Sequence, residues 1–88
     1  MTTYTKFKEY IWLVNTIYHA GAITFADINE RWLKTEMSEG VEMARTTFFR
    51  HKCAIEDIFG ITIDCNKKNG NKYFIANDYV LNEESVQN

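Results

Sequence analysis

The 88-residue chain contains no proline, only four glycines, no internal repeat and no low-complexity tract. A proline-rich linker and a repeat architecture are therefore excluded. The two cysteines, Cys53 and Cys65, have neither the close spacing of a metal site nor the framework of a disulfide-stapled secreted domain. They read as reduced thiols of a cytosolic protein. No apolar run approaches the roughly 20 residues that cross a bilayer. Residues 1–8 lack the apolar core of a signal peptide. There is no glycine-rich phosphate loop. The net charge of −2 gives no global attraction to nucleic acid or membrane.

What is present is a core. Hydrophobic residues make up 45% and aromatics 15% of the chain, which places it among folded domains and not disordered ones. Large rings are how a short chain fills an interior without disulfides. At this length one domain is expected, soluble and cytoplasmic.

Apolar residues recur at helical spacing over residues 7–18: Phe7, Tyr10, Ile11, Val14, Ile17 and Tyr18, with Trp12 and Leu13 widening the stripe. Gly21 is placed to end this helix. A second helix follows, with Thr24 as its cap and Asp27 as an aspartate version of the capping box. Its apolar face is Phe25, Ile28, Trp32 and Leu33, and it fades near Thr35. Trp32 is expected between the second and third helices. Residues 37–43, with Ser38 and Gly40, read as a loop.

A third helix is expected from Arg45 to Phe59, closed by Gly60. With Ile55 at the centre of its buried face, Ala44, Phe48, His51, Ile58 and Phe59 fall within about 60°. Thr46, Phe49, Arg50, Cys53, Glu56 and Asp57 fall on the opposite side. His51 therefore reads as a hydrogen-bonded core residue and not as a ligand or base. Cys53 points out while His51 points in, so a shared metal ion is not expected. No Ser, His and Asp set shares a face. Neither an enzyme nor a cofactor is indicated.

Beyond Gly60 the period changes to two. Ile61, Ile63 and Cys65 alternate with Thr62 and Asp64, and a second strand runs over residues 73–76. A two-residue Asn69-Gly70 loop would set Asp64 beside Ile75. A three-residue loop of Lys68, Asn69 and Gly70, with Gly70 left-handed, pairs Cys65 with Tyr73 and Ile63 with Ile75. The second puts apolar groups on one face and is preferred. Residues 77–88 read as a polar linker or tail.

Three helices closed by a β-hairpin give an α+β, mainly α fold, the outline of a winged helix-turn-helix. The segments Tyr10-Ile11-Trp12-Leu13-Val14-Asn15-Thr16, Ile28-Asn29-Glu30-Arg31-Trp32-Leu33, and Arg45-Thr46-Thr47-Phe48 through Ile55-Glu56-Asp57-Ile58-Phe59-Gly60-Ile61 resemble the N-terminal domain of bacterial WYL-domain transcriptional regulators, most of all the Bacteroidetes type. The likeness runs from Tyr4 to Ile75. It implies a DNA-binding domain over residues 1–76. It also implies that residues 77–88 lead towards a C-terminal WYL sensor domain that this chain does not contain. An effector ligand is expected only for that domain, and a homodimer only for the full-length regulator. Members of the family usually carry a polar or basic residue where Phe49 stands.

Charge segregation supports a nucleic-acid partner where the total does not. Between Arg45 and Lys72 six bases face three acids, +3, while the remainder carries four bases and nine acids, −5. The positive charge lies on the third helix and the hairpin, the two elements such a fold presents to a duplex. Arg50 points outward with a fork that matches guanine O6 and N7. Thr46, Phe49 and Cys53 complete the expected base-contacting set. The ring of Phe49 is read either as a contact to a thymine methyl or as packing on the loop before the helix. Arg45, Thr47, Lys52, Lys67, Lys68 and Lys72 are the expected phosphate contacts. The alternative is a winged-helix protein-interaction module, to which the exposed aromatics Phe49 and Phe74 would contribute.

Overall fold

The computed structural model describes residues 2–77. Helix α1 spans Thr2–Ala20, strand β1 Ile23–Thr24, helix α2 Phe25–Trp32 and helix α3 Arg45–Phe59. Strands β2, Ile63–Asn66, and β3, Lys72–Ile75, form the terminal hairpin. The helices and an antiparallel three-stranded sheet of order β1-β3-β2 make an α+β, winged-helix layout. Among the described residues no helix is long and apolar enough to cross a membrane.

The core is one cluster contributed by every element. Leu13, Val14 and Ile17 come from α1, Ile28 and Trp32 from α2, Phe48 and Ile55 from α3, and Ile63, Tyr73 and Ile75 from the hairpin. Phe48 sits at its centre, with its ring 5.1 Å from Phe25 and 4.9 Å from Tyr73. Edge-to-face and tilted ring pairs of this kind add to the burial of their area.

Local signals set the helix ends. Thr24 accepts a hydrogen bond from the Asp27 amide at 3.1 Å and caps α2. Gly60 takes φ +70° after α3, and its amide bonds the Glu56 carbonyl at 3.0 Å. The expected bounds of α3 are those observed. So is the hairpin pairing, with Ile63 opposite Ile75 and Cys65 opposite Tyr73. The strands themselves differ from the expected spans: β2 is Ile63–Asn66 where alternation was read from Ile61 to Cys65, β3 is Lys72–Ile75 where 73–76 was expected, and residues 67–71 connect them in place of a three-residue loop. A 3-10 turn, Lys67–Asn69, is followed by left-handed Gly70 and Asn71.

Several expectations are corrected. Helix α1 is longer than its apolar repeat at both ends. Strand β1, not expected at all, pairs Ile23 with Tyr73 and Thr24 with Lys72, which makes β3 the central strand. The loop after α2 contains a 3-10 turn, Glu36–Ser38. Ile58 is 51% exposed and Leu33 37% exposed, where both were assigned to buried faces. In the last turn of α3 the contact with α1 falls to Phe59, stacked on Phe7 at 6.0 Å, and Ile58 is left at the margin. Leu33 is the C-cap residue just past the end of α2. Ala44, the residue before α3, is exposed for the same reason of position.

Trp32 is buried, but its ring partner is Trp12 of α1 at 5.3 Å, and its Nε1 donates to the Val41 carbonyl at 3.0 Å. The joint between α2 and α3 is made instead by Asn29. Its side-chain amide donates to the Met43 carbonyl at 3.1 Å and accepts from the Met43 amide at 2.7 Å. This pair fixes the start of α3 relative to α2, which is the geometry a helix-turn-helix requires. Asn77, assigned to the tail, donates to the Gly60 carbonyl at 3.2 Å and accepts from the Thr62 amide at 2.7 Å. It belongs to the fold; residues 78–88 lie outside the described residues.

Candidate nucleic-acid interface

Helix α3 is anchored from within. His51 is buried and its Nε2 lies 2.8 Å from Glu9 Oε1 on α1, with Tyr10 edge-on to its ring at 5.1 Å. Phe48 and Ile55 are fully buried on the same face. With these three fixed, a 100° step per residue turns Thr46, Phe49, Arg50 and Cys53 to solvent, and all four are exposed. Arg50 makes no ion pair with any described residue. Its guanidinium projects from the middle of the outward face.

Between this face and the hairpin lies a groove of about 630 Å³. Arg45, Phe49 and Lys52 line one wall, Asp64, Cys65, Lys67 and Tyr73 the other. The start of α2, Thr24 to Ala26, closes one end. Three bases, Arg45, Lys52 and Lys67, line the groove with one acid, Asp64, and Lys52 is paired with Glu56, which leaves a small net positive charge there. Arg45 is held in place by Phe25, with its guanidinium 4.6 Å above the ring centroid. Lys52 is half-buried and lies 3.5 Å from Glu56 Oε2. The same carboxylate oxygen accepts from the Ile63 amide at 2.8 Å, tying α3 to β2. Burial pushes the Tyr73 phenol up, and the neighbouring Cys65 thiol adds to the shift while Arg45 opposes it. Tyr73 thus lines the groove as a neutral phenol and contributes no negative charge there.

The remaining expected contacts are placed less uniformly. Lys67 and Lys68 are exposed at the hairpin tip, and Lys67 also borders the groove. Lys72 is half-buried in the central strand, between Thr24 and Asn66, and not at the tip. Thr47 is half-buried and faces a separate hollow with Lys6, Glu9, Trp32 and Val41, on the α1 side of the helix. The structure therefore brings Arg45, Phe49, Lys52 and Lys67 together, sets Thr46, Arg50 and Cys53 on the adjoining outer surface, and parts Thr47 and Lys72 from both. The start of α2 was missed as a wall of the groove. Its only sequence signal was the Thr24 cap, which marks a helix end with free amides. Among the described residues no cluster of His, Cys, Asp and Glu is arranged to hold a metal ion.

Comparison with protein-family models, curated proteins and solved structures gives no match to this chain.

Proposed function

We propose that this chain is a sequence-specific, double-stranded-DNA-binding domain of a transcriptional regulator, with α3 in the major groove and the hairpin on the backbone. The observation that carries the reading is the unpaired basic surface. Arg45, Arg50, Lys67 and Lys68 make no ion pair with a described residue and lie on α3 and the hairpin. An outward helix face flanked by a cationic hairpin suits a major groove and its adjoining phosphates. The acids lie elsewhere for the most part, so the total charge of −2 does not oppose the local attraction. In this reading Arg50 addresses a base edge, with Thr46 and Cys53 beside it. Arg45, Lys52, Lys67 and Lys68 bind phosphates, and Thr47 and Lys72 contribute less because they are half-buried. The resemblance to WYL-domain regulators supports the regulatory role and a cytoplasmic setting.

Fluorescence anisotropy with random-sequence duplex DNA, repeated over a salt series, tests the reading. Binding that weakens linearly with log salt is expected. No binding to any duplex at low salt would overturn it in favour of a protein-interaction module, for which the 43% exposure of Phe49 is the specific support.

A further inference from the structure

Phe49 is the one large apolar side chain on the outward face of α3 amid polar, basic and small neighbours. One helical turn away on either side lie Arg45, Thr46, Lys52 and Cys53. Its ring is 43% exposed. The Phe49 ring is tilted against that of Phe48, with centroids 5.7 Å apart, and borders the groove beside Arg45 and Lys52. Phe48 is fully buried and wedged between Phe25 and Tyr73. The Phe49 ring is therefore backed by a fully buried ring of the core. The cation beside it, Arg45, stacks on Phe25 and leaves Phe49 uncovered.

We propose that Phe49 reads the C5-methyl group of a pyrimidine in the major groove. The inference rests on the DNA-binding reading above and adds a base preference to it. In the major groove adenine, guanine and cytosine present hydrogen-bond donors and acceptors, and thymine alone adds a methyl group. A phenyl ring satisfies no donor or acceptor, so against any polar base edge it strands a polar group without a partner. Against a methyl it buries apolar surface on both sides. Removing one buried methyl is worth about fourfold in affinity. The backing by Phe48 lets the ring collect that gain without first being immobilised. 5-Methylcytosine carries the same methyl at the same ring position, so the chemistry is shared and the source is decided by experiment.

The test uses the full 88-residue chain and the duplex it prefers from a randomised pool. Each thymine is replaced in turn by deoxyuridine, which removes only the methyl. One position should lose about fourfold in affinity. At that position a 5-methylcytosine–guanine pair should outrank the unmethylated pair by a similar factor, and if it also outranks thymine, methylated cytosine is the natural target. Phe49→Ala should bind the thymine and deoxyuridine duplexes equally, and Phe49→Leu should keep part of the discrimination. Deoxyuridine without effect at every position overturns the proposal, as does Phe49→Ala that still distinguishes the two duplexes, or DNA binding with no sequence preference. Absence of binding to any duplex by the parent chain instead overturns the DNA reading itself.

Discussion

On its inner face α3 carries Phe48, His51 and Ile55, none more than 2% exposed, each with a ring, carboxylate or core cluster against it. On its outer face, one or two residues along, it carries Thr46, Phe49, Arg50 and Cys53, all exposed, with Arg50 outside any ion pair with a described residue. The two faces share one backbone and one set of helix ends, so propensity does not distinguish them. The difference is that the inner face has its chemistry satisfied within the domain and the outer face does not. Substitutions on the first should therefore be read in stability, and on the second in binding.

The largest effects belong to the inner side. Phe48→Ala should destabilise the domain by about 3–5 kcal/mol, because a fully buried ring at the centre of the cluster is lost. That is a large share of the stability of a small domain. Trp32→Ala should cost a similar amount, since it removes the contact to Trp12 and the bond to the Val41 carbonyl. Urea denaturation followed by circular dichroism measures both. A Phe48→Ala variant that melts with the parent would dissolve the distinction between the faces at its stronger end, and a Trp32→Ala variant that does so would overturn the core as described.

Asn29→Ala comes next. It strands the Met43 amide and carbonyl in the interior, at a cost of about 1–3 kcal/mol. Because Asn29 sets the start of α3 against α2, this variant should also weaken DNA binding more than its lost stability accounts for. It is the one change expected to register on both faces. Binding measured at a temperature where the variant remains folded separates the two contributions.

What was legible in the sequence follows the reach of the signals. The bounds of α3 rest on local chemistry, an apolar repeat closed by Gly60, and they could be read directly. The hairpin register rests on parity, since side chains alternate at period two, and Ile63 against Ile75 was therefore decidable. Strand β1 has two residues, and its pairing with β3 spans half the chain. No periodicity is visible over two residues, so only the folded partner reveals it. Asn29 and Asn77 escaped for a related reason: polar residues buried or fixed by hydrogen bonds look like surface residues until their partners are known. Ile58 shows the opposite error, in which a helical angle is read as burial although the contact of the last turn with α1 falls to Phe59 and leaves Ile58 exposed. For the candidate interface, the outward residues of α3 were legible and the groove was not, because its walls come from three separate parts of the chain.

Arg50 examines the outer face. Arg50→Ala should leave the melting curve unchanged within error, because an exposed arginine without an ion pair carries little fold energy. On the preferred duplex it should lose about 1–3 kcal/mol of binding. Arg50→Lys keeps the charge and loses the fork. It should therefore reduce preference at one base pair, a guanine, more than it reduces affinity for random DNA. Equal losses on both would make Arg50 a phosphate anchor and move specificity to Thr46, Phe49 or Cys53.

The smallest effect sharpens the comparison within the basic surface itself. Lys67 is exposed at the groove edge and makes no ion pair with a described residue, whereas Lys52 is half-buried and lies 3.5 Å from Glu56. A lysine that brings an uncompensated charge to a phosphate displaces about one counterion, so Lys67→Ala should lower the log–log salt slope by about one. Lys52 already shares its charge with a carboxylate that also holds the Ile63 amide. Glu56 is thereby kept from turning away, and Lys52 offers the duplex less net charge. Lys52→Ala should accordingly lower the slope by clearly less than Lys67→Ala. Equal drops for the two would mean that the Lys52–Glu56 pair opens when DNA binds. Partial neutralisation by Glu56 would then have to be discarded as the reason the two lysines differ.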